Sequence, residues 1–140
     1  VSEFMNRKVL TAAPDDGVRE TFLRMREAGI RHLPVLDGAQ LVGMISDRDL
    51  RRPDWVDEAP DLSYDYQLDD NLAVGDLMSR NPITVHTYEA LARACNLINL
   101  HGFGALPVLD KGNHLVGIIS KADLVRAFEH FLQSGHDGFA

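Results

Sequence analysis

The sequence predicts an α/β (α+β) fold in which one strand-helix-strand-strand-helix unit occurs twice, and three observations carry that prediction. Gly29-Ile-Arg-His-Leu-Pro-Val-Leu-Asp37 returns as Gly102-Phe-Gly-Ala-Leu-Pro-Val-Leu-Asp110, an offset of 73 carrying Leu33 to Asp37 onto Leu106 to Asp110 unchanged. Leu41-Val-Gly-Met-Ile-Ser-Asp-Arg-Asp-Leu50 returns as Leu115-Val-Gly-Ile-Ile-Ser-Lys-Ala-Asp-Leu124, now at an offset of 74. In each copy these two runs flank a short segment containing glycine, which marks a β-hairpin. The residue added in the second copy falls in that turn, where a change of length costs little.

The elements follow in order. Val1-Ser-Glu-Phe-Met5 aligns at offset 73 with Val74-Gly-Asp-Leu-Met78 and so opens the first repeat. Val9 to Ala12 reads as a short strand, matched by Pro82 to Val85. Asp15 or Asp16 is placed to cap the next helix, on which Val18, Phe22 and Met25 recur at helical spacing. The second helix carries Leu91, Cys95 and Ile98 behind a cap at Thr87, which predicts a buried, inert thiol at Cys95. Gly29 and Gly102 stop the two helices. A strand-helix-strand passage implies parallel pairing through a right-handed crossover, so each copy should form a small mixed sheet with helices on one face.

After each hairpin comes Ser-x-x-Asp-Leu. As local structure, Ser46 and Ser120 are helix N-caps, with Asp49 and Asp123 favourable in the first turn. The C-terminal helix places Leu124, Phe128 and Phe131 on one face, with Val125 and Leu132 beside them. Part of that stripe is expected in the core, and the rest should form a self-association surface.

The repeats span residues 1–52 and 74–133, with an insert at 53–73 and a tail at 134–140. Each repeat alone would be marginal, so the two are expected to share a core. The insert is acidic: from Pro53 to Ser79 there are eight carboxylates and no Lys or Arg. Taking 8 from 21 acidic residues leaves 13 against 14 basic ones, so the net charge of −7 is local to that stretch. A solvated linker explains it, while Trp55, Tyr64 and Tyr66 suggest that part of it packs.

Several function classes drop out. No Gly-x-Ser-x-Gly, Walker-type loop or His-Glu-x-x-His is present, and the six histidines lack metal-ligand spacing. His32 and His101 read as structural or ligand-polarising side chains, and no histidine stands near Cys95 to activate it. We expect no catalysis. The negative charge and the lack of a basic stripe argue against nucleic acid. No apolar run approaches a membrane span, no signal peptide is visible, and one cysteine excludes a disulfide framework; a cytoplasmic address is the expectation.

The paired pattern Gly-x-x-x-Leu-Pro-Val-Leu-Asp with Leu-Val-Gly-x-Ile-Ser-x-x-Asp-Leu resembles the cystathionine-β-synthase (CBS) domain, and two in tandem resemble the CBS pair or Bateman module. Ile-Arg-His-Leu-Pro with Ser-Asp-Arg-Asp-Leu-Arg is similar to small stand-alone bacterial CBS-pair proteins, including the acetoin-utilisation accessory type. The resemblance implies two units packed sheet to sheet about a pseudo-twofold axis, with up to two adenosyl-ligand sites in the cleft. It implies that Asp49 and Asp123 bind ribose hydroxyls, a charge-assisted contact, and that Ser46 and Ser120 lie near phosphate at helix starts. Thr11 and Thr84 match a position near base or phosphate, while Ile30 to Leu33 and Phe103 to Leu106 would read the adenine edge.

The two sites are expected to differ. Arg31, His32 and Arg48 are added phosphate partners in the first, His86 and Lys121 in the second, where Gly104 and Ala105 replace Arg31 and His32. The implied role is a non-catalytic sensor for AMP, ADP, ATP or S-adenosylmethionine, with no obligatory cofactor, acting as a homodimer on an unknown effector protein. Two alternatives stay open: a divalent-cation sensor built on the acidic insert, and a structural dimerisation module with vestigial sites.

Overall fold

Both hairpins form, and each is extended by residues from the opening of the other repeat. The computed structural model describes residues 1–50 and 72–135. The acidic stretch with Trp55, Tyr64 and Tyr66 and the tail beyond Gly135 lie outside them. In chain order the elements are α1 (Val18–Ala28), β1 (His32–Asp37), β2 (Gln40–Ser46), α2 (Asp47–Leu50), α3 (Val74–Leu77), β3 (Ser79–Arg80), β4 (Val85–His86), α4 (Leu91–His101), β5 (Ala105–Leu109), β6 (Leu115–Ser120) and α5 (Lys121–Gln133).

Two three-stranded sheets result, β1-β2-β3 and β4-β5-β6. β1 and β2 pair antiparallel, as do β5 and β6, and each pair carries a register shift at the equivalent step, Val35/Leu36 and Val108/Leu109. The predicted parallel strand is present in both copies but short. In the second, Val85 and His86 pair with Val108 and Leu109. In the first it shrinks to one bridge, Ala12 to Val35, rather than a strand over Val9 to Ala12. Pro14 has no N–H and cannot prolong that ladder.

The compact units are Leu10–Pro82 and Val1–Val9 with Ile83–Ala140, so the spatial units are not the sequence repeats. β3, from the opening of the second repeat, pairs with β2 of the first. Asn6, from the opening of the first, bridges Ile118 on β6. A paired glycine makes room for each exchange. A Cβ on Gly43 would stand 2.6 Å from Met78 Sδ, and one on Gly117 would stand 2.5 Å from Met5 Sδ. Both methionines are buried, Met78 among Phe22, Leu33, Val35, Ile45 and Val74, and Met5 among Val85, Leu106, Val108 and Ile119. Each fully buried side chain of this size contributes about 1.5–3 kcal/mol.

The helix stops are as predicted, with Gly29 and Gly102 left-handed at φ +68° and +71°. The helix starts differ. α1 begins at Gly17 and α4 at Ala90, not at Asp15, Asp16 or Thr87. Asp16 instead accepts from the Ala13 N–H at 2.9 Å, closing the turn before the helix. The Thr87 N–H donates to the Leu109 carbonyl at 3.0 Å and is spent on strand pairing.

Val18, Phe22 and Met25 are buried on α1, but Cys95 is exposed. The buried stripe of α4 runs Ala94, Leu97, Ile98, because Leu97 supplies the bulk that Phe22 gives α1 and turns the buried face by one position. On α5 the buried positions are Asp123 and Ala127, with Leu124 packed against the core. Val125, Phe128 and Phe131 stay exposed. No helix among the described residues is long and apolar enough to cross a membrane.

Candidate adenosyl-ligand site

Hairpin pairing sets the geometry around each Ser-x-x-Asp box. His32 lies opposite Ser46 at the open end of the first hairpin, and Ala105 lies opposite Ser120 in the second. The chain then turns into a helix beside the strand it has just paired with. The Asp47 N–H donates to the Arg31 carbonyl at 3.0 Å, and the Lys121 N–H donates to the Gly104 carbonyl at 3.0 Å. Residues 30–32 are thereby tied to 46–49, and residues 103–105 to 120–123. Thr11 and Thr84 lie one residue before the bridging positions Ala12 and Val85, outside these ties.

Each box closes on itself. The Ser46 N–H donates to Asp49 Oδ2 at 2.9 Å, and the Asp49 N–H donates to Ser46 Oγ at 3.1 Å. In the second box the Ser120 N–H donates to Asp123 Oδ2 at 2.7 Å, and the Asp123 N–H donates to Ser120 Oγ at 3.3 Å. This is the reciprocal capping box.

Around the first box, Ile30 and Arg31 line a depression of about 280 Å³ together with Phe22, Met25, Arg26, Gly29 and Asp47. Its floor is apolar, since Phe22 and Met25 are buried, and its rim carries two guanidinium groups. Arg26 also lies over the Phe22 ring, 5.8 Å from the centroid. Arg48 is exposed and does not line the depression. Sequence reasoning missed Asp47 and Arg26; their signals were adjacency to Ser46 and a place one turn before Gly29.

Around the second box, Phe103 stacks on His101 at 5.1 Å, Ala105 is buried and Lys121 is exposed. His86 stands apart, at the end of the short parallel strand. Its Nδ1 is 3.3 Å from Glu89 Oε1, its Nε2 is 2.9 Å from Asn113 Oδ1, and its ring stacks on Tyr88. The Asn113 hydrogen bond, then Glu89 and the Asp110 charge, raise the His86 pKa above its usual value against the effect of desolvation. Asp110 is lowered, chiefly by the His114 N–H that it accepts at 2.9 Å. Arg126 was also missed; it donates to Asp123 Oδ1 from one helical turn further on. No cluster of metal-ligating side chains occurs among the described residues.

The family model described as CBS domain matches residues 1–53 and 74–130. An uncharacterised protein of Methanocaldococcus jannaschii is 33% identical over 91% of this chain and 43% of its own length. A CBS domain-containing protein of Dictyostelium discoideum is 30% identical over 89% of this chain and 88% of its own. The chain thus spans less than half of the first relative and most of the second. Among solved structures, the CBS-pair protein CBSX2 from Arabidopsis thaliana superposes with a TM-score of 0.82 at 29% identity, covering 95% of this chain and 96% of that one. CBSX2 in complex with AMP gives 0.77 at 30% identity, covering 94% and 96%.

Proposed function

The chain belongs to the CBS domain family, and from that premise we propose that it is a non-catalytic regulatory module that binds an adenosyl ligand. The observation that carries this reading is the Asp49 carboxylate. It is half-buried, one oxygen is fixed by the Ser46 N–H, and the box is tied to the strand end that lines the depression with Ile30 and Arg31. A ribose cis-diol donates two hydrogen bonds and needs a fixed, anionic acceptor; an adenine ring needs apolar walls, and a phosphate needs cations. The depression offers Phe22, Met25 and Ile30 for the ring and Arg26 and Arg31 for the phosphate, and Asp49 belongs to the box tied to it through the Asp47–Arg31 hydrogen bond.

In the first site Asp49 takes the ribose, Ser46 and Arg31 the phosphate side with His32 and Arg48 beyond them, and Thr11 the base side. In the second, Asp123, Ser120 and Lys121 stand at the equivalent positions, with Phe103 and Ala105 on the base side and Thr84 and His86 beyond. Support comes from the AMP complex of CBSX2. A second CBS domain pair, 25% identical, was solved with 5′-methylthioadenosine and S-adenosyl-L-methionine. The exposed Val125, Phe128 and Phe131 on α5 support a homodimer acting on an effector protein.

Thermal shift against AMP, ADP, ATP, S-adenosylmethionine, NAD and Mg²⁺ tests the reading, because a ligand of the native state raises the melting temperature by mass action. A rise with an adenosyl compound is expected. A rise with Mg²⁺ alone would favour the cation sensor, whose acidic insert lies outside the described residues. No rise with any would leave a dimerisation module.

A further inference from the structure

The two carboxylates differ in what they have left to offer, and the difference bears on how many ligands a chain takes, given the adenosyl-binding reading above. Asp49 Oδ2 accepts from the Ser46 N–H, while Oδ1 accepts no hydrogen bond from any described residue. Asp123 accepts at both oxygens. Its Oδ2 accepts from the Ser120 N–H and from Ser120 Oγ at 3.0 Å, and its Oδ1 accepts from the Arg126 guanidinium. The Asp123 side chain is only 6% exposed, whereas that of Arg126 is 66% exposed.

A diol reaching Asp123 from solvent therefore meets a guanidinium in the place it needs. Arg126 is held there by helix geometry. Residues three apart lie on one face, and α5 runs unbroken from Lys121 to Gln133. The guanidinium gives the buried carboxylate a charged partner, so a neutral diol competes poorly against a charge-assisted bond already formed. The residue equivalent to Arg126 at offset 74 is Arg52, which lies outside the described residues.

We propose that Arg126 is the resident occupant of the second diol site, so that the chain takes one adenosyl ligand, at Asp49, and a second only when the guanidinium is removed. Arg126 then sets stoichiometry without touching the bound ligand.

The test is isothermal titration of AMP into the full chain, with ATP and S-adenosylmethionine as further probes. Wild type should bind one ligand per chain, and Asp49→Ala should lose that binding by at least about ten- to a hundredfold. Arg126→Met keeps the aliphatic stem and should bind two; Arg126→Gln is the second variant should Met perturb folding, which thermal unfolding reports. Adding Asp123→Ala to Arg126→Met should return the count to one. Arg52→Ala, the matched control, should leave it at one. A wild-type count of two, a count of one in both Arg126 variants, or a rise with Arg52→Ala would each overturn the proposal while leaving adenosyl binding intact. No heat with any probe in any variant would overturn the underlying reading as well.

Discussion

The two halves of the molecule are built to one plan and finished differently. Residues at offsets of 73 and 74 occupy the same places in both sheets: Ala12 and Val85 on the parallel edge, Gly43 and Gly117 on the hairpin, Ser79 and Asn6 on the far edge. Differences lie in single side chains set on that plan. Among the described residues Asp49 Oδ1 accepts no hydrogen bond, whereas Asp123 Oδ1 accepts from Arg126. The parallel edge ends in Ala13 in one half and in His86 in the other. Thr21 is buried where the other half has Ala94. A repeated scaffold thus fixes the packing, and single side chains divide the roles.

The largest effect should come from breaking the exchange that both halves share. Met78→Ala and Met5→Ala remove buried side chains from the two cores and should cost about 2–5 kcal/mol each. Gly43→Ala and Gly117→Ala attack the same contacts from the other side, at about 1–3 kcal/mol. Here the halves should separate. A Cβ at Gly43 meets the Ser79 carbonyl at 2.8 Å as well as a methionine, whereas at Gly117 the nearest backbone atom is the Asn6 carbonyl at 3.1 Å. Backbone yields less than a methionine, so Gly43→Ala should be the worse of the pair in denaturant unfolding. Equal costs would show that the methionine alone sets the penalty.

Next in size is the split at the motif acids. Asp123→Ala removes the acceptor of two Ser120 donors and of Arg126, so it should lower stability by about 1–2 kcal/mol with little effect on a ligand bound at Asp49. Asp49→Ala should cost less stability, because among the described residues its carboxylate accepts only from the Ser46 N–H, and should weaken AMP binding about ten- to a hundredfold. Calorimetry and thermal unfolding on the two mutants read both quantities. Parallel losses of stability and affinity in both would erase the asymmetry.

How much of this was legible in the sequence depends on whether the information was local. The repeat, the hairpins, both helix-stopping glycines and the capping boxes are short-range patterns, and each is present in the structure. The helix starts are not local: Asp16 closes a turn with the Ala13 N–H and the Thr87 N–H extends the strand ladder to Leu109, so the helices begin further on. Cys95 matches the buried stripe of α1 by position, but Leu97 shifts the buried face of α4 away from it. The exchange of Met5 and Met78 was hidden, since alignment shows that two segments are alike and not which sheet each joins. Arg126 was readable as an i,i+3 partner of Asp123, and only the geometry shows that the pair forms.

A smaller effect is expected at Thr21. It is fully buried, and Oγ1 has no hydrogen-bond partner among the described residues. A buried orphan hydroxyl costs about 1–3 kcal/mol, and losing the methyl group costs about 0.8 kcal/mol. Thr21→Ala, which copies the other half, should therefore stabilise the protein by about 1 kcal/mol. A destabilised mutant would mean that the hydroxyl is satisfied in solution.

The smallest effect concerns His86, which has no counterpart at Ala13. Its ring faces Glu89, Asn113 and Tyr88, with Asp110 and His114 in the adjoining turn, and Asn113 is held left-handed at φ +64°. Both ring nitrogens face acceptors, so the doubly protonated ring satisfies both. That raises the folded pKa above 6.5, first through Asn113 and then through Glu89 and Asp110. A raised histidine contributes stability that is complete below the unfolded value and fades as pH rises through the folded value. Asp110 works in the opposite sense: lowered from 3.8, it contributes above that value and loses the contribution as pH falls through its folded one. The turn should hold best in mildly acidic solution, between the two. Asn113→Gly keeps the left-handed backbone and removes the leading cause, so the His86 midpoint in an NMR titration should drop toward 6.5. The change in melting temperature across neutral pH should flatten with it, while the Leu10–Pro82 unit, with alanine in this place, should show no matching trend. An unchanged midpoint in Asn113→Gly would mean that Asn113 does not hold the proton, and the pH response would then rest on Glu89 and Asp110.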